Sequence, residues 1–355
     1  MMKVLIAMSG GVDSSVAAKL LCDEGCECIG CTMKLYDNCD AGLPRGRTCC
    51  SLDDVEDARS VAFSLGMRYY VFNFKDDFRE KVIKKFASGY LRGQTPNPCI
   101  DCNRYMKFDK LLERAKLLGC DKLATGHYAR IEFDGEKYRL KKALDKSKDQ
   151  SYVLYMLTQE QLAHTLFPLG SLHKTDTRAI ADAADLSSAH KPDSQDICFV
   201  PDGDYAAAIE RLTGTKAPCG DFIDASGKVL GTHRGITHYT VGQHRGLGLS
   251  LPERRYVCGI NAESGTVTLG GSDELHSSTA EVRDFNWISG EAPAEPIRCT
   301  AKIRYRQSEQ PATAIAHSDG SVTLHFDAPQ RAVTPGQAAV LYDGDTVLGG
   351  GEIVK

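Results

Sequence analysis

The chain has 355 residues, 43 of them basic and 47 acidic, a formal net charge of −4 and 42% apolar residues. Such length and apolar content give two or three domains with ample core and exclude a disordered chain, while the acidic balance excludes nucleic-acid binding by overall charge, leaving only a local patch. No apolar run approaches the roughly 20 residues of a membrane-spanning helix, the first residues enter a strand with no leader pattern, and the 14 cysteines of the cytoplasmic chain so expected point to thiol, metal or redox chemistry rather than disulfides.

The first predicted strand is the apolar run Val4 to Met8, and Val16, Ala17, Leu20 and Leu21 recur at helical spacing behind it. Between them lies SGGVDSS, Ser9 to Ser15. At a strand-to-helix junction the first helical N–H groups lack partners and the helix dipole adds positive charge, so anions are favoured there. Gly10 and Gly11 let the backbone come close to a phosphate. The loop has neither the lysine of a Walker loop nor the GxGxxG of a dinucleotide fold; it offers the hydroxyls of Ser9, Ser14 and Ser15 and the carboxylate of Asp13, a set suited to pyrophosphate and its Mg²⁺.

Next come a strand flanked by Cys28 and Cys31, then DNCDAGLPRGRTCC with Cys39, Cys49 and Cys50, a helix from Leu52 to Leu65 and the strand YYVFNF. GQTPNPCIDCN sets Cys99 and Cys102 as a CxxC ahead of a helix predicted over Lys107 to Leu118, where a helix N-terminus would favour thiolate. The strand DKLATGHYARI follows. This alternation predicts an α/β fold built on a doubly wound parallel sheet. The stretch EKYRLKKALDKSKDQSY then carries six basic residues between Lys137 and Lys148 together with Tyr138 and Tyr152, a pattern that suits single-stranded RNA and equally a solvated hairpin. DQSYVLYMLTQEQLAHTLFPLG reads as helical, TDTRAIADAADL as an amphipathic helix ended by Lys191 and Pro192, and Cys198 lies in KPDSQDICFVPDGDY. Beyond Gly214, short apolar runs separated by Gly, Asp, Asn and Pro read as all-β. The resulting division is 1–206 for the α/β domain, 207–272 for a small β-rich central domain and 273–355 for a β-barrel. Cys22, Cys26, Cys28, Cys31, Cys120, Cys258 and Cys299 fall on helix or strand patterns as core thiols. A structural zinc on Cys99, Cys102 and two of Cys39, Cys49 and Cys50 is a further reading, although the second half of that set lacks CxxC spacing.

SGGVDSS resembles the PP-loop of ATP pyrophosphatases. With SGGVDSS, TPNPCIDCN, ATGHYAR, DQSYVLY and DSQDICFV in this order, the sequence resembles the tRNA-specific 2-thiouridylases over essentially its whole length. The resemblance implies ATP-dependent replacement of the C2 oxygen of the wobble uridine by sulfur in tRNAs for glutamine, lysine and glutamate, through adenylation of that oxygen. It implies a Cys102 nucleophile, a persulfide on Cys198 and a part for Asp13 in catalysis. ATP would be held by Ala7, Met8, Ser9, Gly10, Gly11, Val12, Asp13 and Ser14, with Met33 near the adenine and Gly126 on the nucleotide. Asn97, Pro98 and Cys99 would lie beside the target base, and His127, Lys148, Asp149, Gln150, Arg304, Tyr305 and Gln337 would contact tRNA. The implied cofactors are ATP and Mg²⁺, the implied partners tRNA and a sulfur-donor protein, either a cysteine desulfurase or a relay protein, and the expected form is a monomer in the cytoplasm. Some relatives carry Asp where this chain has Cys99, so Cys99, Cys102 and Cys198 form a triad that could instead hold a [4Fe–4S] cluster with one open iron. An amide-forming ATP pyrophosphatase would need an ammonia-supplying domain, for which no length is left, and a non-catalytic RNA-binding module would not need SGGVDSS.

Overall fold

The computed structural model describes residues 1–36, 52–192, 197–200 and 202–355. Strands β1 (Lys3–Ala7), β2 (Glu27–Lys34), β3 (Arg68–Asn73), β4 (Lys122–Thr125) and β7 (Thr165–Leu166) form a parallel sheet in the order β3-β2-β1-β4-β7. Side chains alternate across a strand, and β1 uses both of its faces. Val4 and Ile6 pack with Val16, Ala17 and Leu21 of α1 (Val12–Asp23) and with Ala58, Val61 and Ala62 of α2 (Leu52–Ser64). Leu5 turns the other way, into a cluster with Ile29, Phe78, Phe86 of α3 (Lys84–Leu91), Phe108 and Leu111. Helices therefore cover both sides, and the strand is apolar throughout because neither face meets water.

The helix predicted from Lys107 starts earlier. Pro98–Asp101, Cys102–Leu111 and Leu112–Leu117 run on as one rod, the middle segment wound as a π-helix, a widening often found at functional sites. The helix predicted over 149–170 does not form. Apart from a 3₁₀ turn at Ser151–Val153 and a short helix at Gln159–Ala163, the stretch crosses between the sheet domain and the barrel. Its backbone is satisfied from the barrel side: Asn286 Nδ2 donates to the carbonyls of Tyr155 and Leu157 at 2.7 and 3.1 Å. Tyr152, Leu154 and Leu157 are fully buried there, and the Tyr152 hydroxyl donates to Ala338 O at 2.8 Å.

The strand predicted over Asp121 to Ile131 is two strands. β4 stays in the parallel sheet, whereas β5 (Ala129–Phe133) leaves it and pairs with β6 (Tyr138–Lys142) as a hairpin. The central unit is a four-stranded sheet, β8 (Gly220–Ile223), β9 (Val229–His233), β10 (Tyr256–Asn261) and β11 (Thr266–Gly270), in the order β10-β11-β8-β9 around Phe222, Val257, Val267 and Leu269. Strands β12 (His276–Trp287), β13 (Ile297–Lys302), β14 (Gln310–Ala316), β15 (Val322–Arg331), β16 (Ala338–Asp343) and β17 (Thr346–Ile353) make an antiparallel barrel closed by pairing of β12 with β17. The hairpin β5–β6 joins it through Lys141 opposite Thr346. Among the described residues no helix is long and apolar enough to cross a membrane.

Candidate nucleotide and thiol site

The turn from β1 to α1 is closed on several sides. Gly10 has φ +76°, and a Cβ there would lie 2.4 Å from the carbonyl oxygen of Asp54 in α2, so glycine is required on both counts. Gly11 caps α1 without a side-chain acceptor, leaving its first N–H groups without the usual capping oxygen. Ser14 and Ser15 donate to Gly11 O at 3.1 and 3.0 Å, and the Ser9 N–H donates to Ser14 Oγ at 3.2 Å, so the serines shape the loop as well as offering hydroxyls. Ser188 Oγ donates to Ser15 Oγ at 2.8 Å from beneath. Gly126 comes against this turn: a Cβ there would lie 2.8 Å from Asp13 C and from Ser14 N. Met8 and Val12 are buried, while Ala7 and Met33 are partly buried against the second core cluster.

Asp13 is the centre of a polar cluster that sequence reasoning missed. Lys174, the first residue of α4 (Lys174–Ala183), places its ammonium 2.7 and 2.9 Å from the two Asp13 oxygens. The Tyr128 hydroxyl donates to Asp13 Oδ1 at 2.9 Å and lies 2.9 Å from Thr177 Oγ1, one turn along α4. A basic residue was absent from the loop in sequence; the fold brings one in across 161 residues. The only local signal was a lysine opening an amphipathic helix.

Two segments carry the expected thiols. Asn97 accepts from the Cys99 N–H at 3.1 Å and Pro98 fills the first helical position, so NPC is a helix start by its own chemistry. Cys99 is exposed and Cys102, at the first π-turn, is partly buried. Between them in this turn Asp101 is almost fully buried and takes Lys85 Nζ at 2.9 Å; Glu352 of β17 lies 3.7 Å from the same ammonium. Burial pulls Lys85 down, and Asp101 and Glu352 more than reverse it, so the ammonium is held charged.

The Cys198 segment is anchored at both sides. Lys191 binds Asp54, at 2.9 Å, and Asp57 on α2. On the other side Phe199 is 3% exposed and meets Phe78 and Phe86 edge-on, with centroids 5.8 and 5.3 Å away, and Tyr36 donates its hydroxyl to Cys198 O at 2.9 Å. Cys102 and Cys198 thus pack against one apolar cluster. Cys39, Cys49 and Cys50, the zinc reading's second half, lie outside the described residues. Among the described residues, which include Cys99, Cys102 and Cys198, no group of three or more His, Cys, Asp or Glu is placed to hold a metal ion. The three thiols are therefore not gathered around a single-ion position among the described residues.

Most of the expected tRNA contacts are engaged within the protein. His127 is 7% exposed; Lys107 Nζ lies 3.4 Å from its Nε2 and Thr125 Oγ1 2.7 Å from its Nδ1. An ammonium can only donate, so Nε2 accepts and Nδ1 carries the proton. Burial, with the nearby Lys107 charge, pushes the His127 pKa well down. Asp149 accepts from the N–H of Ala143 at 2.9 Å and from Ser151 Oγ at 2.8 Å, and Gln150 accepts from the Tyr128 N–H at 3.0 Å. Arg304 Nη2 reaches Ala332 O and Thr334 Oγ1, each at 2.9 Å. Gln337 Nε2 donates to Thr95 O at 2.6 Å, and the Thr95 N–H donates to Pro335 O at 2.8 Å, tying the barrel to the loop before Asn97. Lys148 is partly exposed and Tyr305 is 39% exposed. Of the six basic residues from Lys137 to Lys148, Lys137, Arg139, Lys141 and Lys142 pair with Glu291, Asp134, Glu132 and Glu309, so that stretch is a charge-matched hairpin more than an open cationic strip.

Three family models match in succession: a tRNA methyl transferase HUP domain over residues 2–202, a tRNA methyl transferase PRC-barrel domain over 208–271 and an aminomethyltransferase beta-barrel domain over 277–353. The chain is 52% identical over 355 residues to the tRNA-specific 2-thiouridylase MnmA of Acetivibrio thermocellus, covering 99% of each. It is 51% identical over 356 residues to the tRNA-specific 2-thiouridylase MnmA 2 of Caldanaerobacter subterraneus subsp. tengcongensis, covering 99% of this chain and 98% of the relative. To the tRNA-specific 2-thiouridylase MnmA of Geotalea uraniireducens it is 50% identical over 355 residues, covering 99% and 94%.

Proposed function

The chain belongs to the tRNA-specific 2-thiouridylase family, so it is a transferase that thiolates a uridine of tRNA at the expense of ATP, and we propose how its residues do so. The uridine is the wobble base of tRNAs for glutamine, lysine and glutamate. Its C2 oxygen is a poor leaving group, so it first attacks the α-phosphorus of ATP, and pyrophosphate departs. Ala7 to Ser14, Met33 and Gly126 hold the nucleotide. Mg²⁺ needs only one or two carboxylates beside phosphate oxygens; Asp13, the one carboxylate in the loop, would hold it, and the ion would neutralise charge on the pyrophosphate. The first-turn N–H groups of α1 supply the same service from the protein side.

Sulfur arrives as a persulfide on Cys198, loaded by a cysteine desulfurase or a relay protein. The Cys102 thiolate attacks the inner sulfur of that persulfide, a Cys102–Cys198 disulfide forms, and hydrosulfide leaves. Hydrosulfide then adds to the activated C2, AMP departs with the former uracil oxygen, and an external dithiol reduces the disulfide. No step runs through an iron–sulfur cluster. Asn97, Pro98 and Cys99 flank the target base. Lys148 and Tyr305 reach tRNA, while His127, Asp149, Gln150, Arg304 and Gln337 fix the loops that face it. ATP and thiol chemistry belong to residues 1–206 and the barrel of 273–355 supports the tRNA, with 207–272 between them, in a monomeric cytoplasmic enzyme.

The observation that carries this reading is the packing of Cys102 and Cys198 against one cluster in the same domain as the SGGVDSS turn. The test is 2-thiouridine formation by purified protein with ATP, tRNA and a desulfurase. Cys198→Ala should still release pyrophosphate and make no thiouridine from the desulfurase. Thiolation by that variant at the wild-type rate would remove Cys198 from the sulfur path.

A further inference from the structure

We propose that Lys174 is the cation that holds the departing pyrophosphate, supplying from α4 the positive charge that a Walker loop carries within its own sequence. This rests on the ATP-cleaving reading above. The SGGVDSS turn has no basic residue, yet two anionic phosphates must leave through it.

Lys174 is an unusual place for a lysine on structural grounds alone. It is 8% exposed, so its ammonium is largely withdrawn from water, which costs several kcal/mol unless the charge is matched. It also stands at the first position of a helix of 10 residues, where the dipole disfavours a cation. Asp13 offsets both costs, at 2.7 and 2.9 Å, and the Tyr128 ring, 5.7 Å from the ammonium, adds a cation–π contact.

The surrounding bonds aim the charge. The Lys174 N–H donates to Asp145 Oδ2 at 3.0 Å, fixing the start of α4. Tyr128 bridges Asp13 to Thr177 on the same helix, and Gly126, two residues before Tyr128, lies against Asp13 and Ser14. The ammonium is thereby held against the Asp13 carboxylate in the first turn of α1, the end of that helix toward which a phosphate would move. A purely structural contact at this position would be served as well by a neutral pair of similar shape. The placement of a full positive charge at the anion-attracting end of α1 is what a leaving pyrophosphate requires.

The test is calorimetric binding of inorganic pyrophosphate with Mg²⁺, using the full-length protein. Wild type binds; Lys174→Met should bind at least about tenfold more weakly, the loss of one charge-assisted contact, and Lys174→Arg should recover most of the affinity. tRNA affinity should be the same in all three. Wild-type affinity in a folded Lys174→Met protein overturns the proposal. If that variant does not fold because Asp13 has lost its cation, Asp13→Asn is compared with Asp13→Asn/Lys174→Met for pyrophosphate without Mg²⁺, since Asp13 is also the ion's ligand in the reading above: weaker binding by the double variant supports the assignment, and equal binding overturns it. Wild type that binds neither ATP nor pyrophosphate would instead remove the ATP-cleaving reading on which the proposal stands.

Discussion

Replacing Phe199 by alanine should separate sulfur transfer from uridine activation. The phenyl ring is 3% exposed and wedged edge-on between Phe78 and Phe86, and truncating such a ring costs about 3–5 kcal/mol. That cost falls on a short segment, not on the sheet. Residues 197–200 are held to the domain by Phe199, by buried Val200 and by the Tyr36 bond to Cys198 O, so losing the ring frees the segment before it unfolds the domain. A penalty of about 3 kcal/mol shifts the docked-to-undocked ratio roughly a hundredfold. Single-turnover 2-thiouridine formation should then fall by at least about tenfold, while pyrophosphate release stays within about twofold of wild type. Phe199→Leu, which refills most of the space, should restore thiolation. Equal loss of both activities, or no loss of either, would refute the argument that Phe199 positions Cys198 in particular.

The pH dependence of stability should carry the signature of His127. Its pKa is lowered by burial and by Lys107, so its contribution is complete above the unfolded value of about 6.5 and is lost as pH falls below that; the urea midpoint should drop between about pH 7 and 5, and His127→Gln should flatten that drop. Lys85→Met removes the partner of buried Asp101 and should lower stability by about 1–3 kcal/mol in urea denaturation, with Lys85→Met/Asp101→Asn recovering part of it. Gly126→Ala would set a methyl 2.8 Å from Asp13 C and Ser14 N; an overpacking cost of about 1–3 kcal/mol should raise KM for ATP about tenfold with KM for tRNA unchanged, and an unchanged KM for ATP would separate Gly126 from the nucleotide.

Those parts of the molecule whose partners lie nearby in sequence were legible before the fold was known. β1, the SGGVDSS turn and α1 follow one another directly, and a strand buried on both faces is a continuous apolar run. Asn97, Pro98 and Cys99 cap their own helix through contacts two residues apart. What failed in the reading depends on distant segments. DQSYVLYMLTQ has helical apolar spacing, but Asn286 takes the carbonyls of Tyr155 and Leu157 that a helix would bond internally, and Ala338 O holds the Tyr152 hydroxyl. Lys174 carries no motif, and its meaning comes only from Asp13. The basic run after Lys137 looked open to RNA because its acidic partners Glu291 and Glu309 lie in the barrel. For Gln337 and Arg304, expected by resemblance to contact tRNA, the fold adds what no local pattern shows: one ties down the Thr95 loop and the other binds Ala332 and Thr334.

The hairpin β5–β6 belongs by sequence to the first half of the chain and by hydrogen bonding to the last strand of the barrel: Lys141 pairs with Thr346, the Lys142 N–H donates to Asp345 O at 2.7 Å, and Arg130 reaches Asp345 Oδ2 at 2.6 Å. On a ribosome the hairpin emerges long before its partner, and until then it presents a bare edge of the kind that recruits other chains. β17 is also the strand that closes the ring, pairing with β12 and with β16. One late strand therefore completes the barrel and covers the edge left by the ATP-binding half. A chain cut before β17 would leave both unfinished at once, so the loss of that one strand would offer a cell's proteases two open edges rather than one.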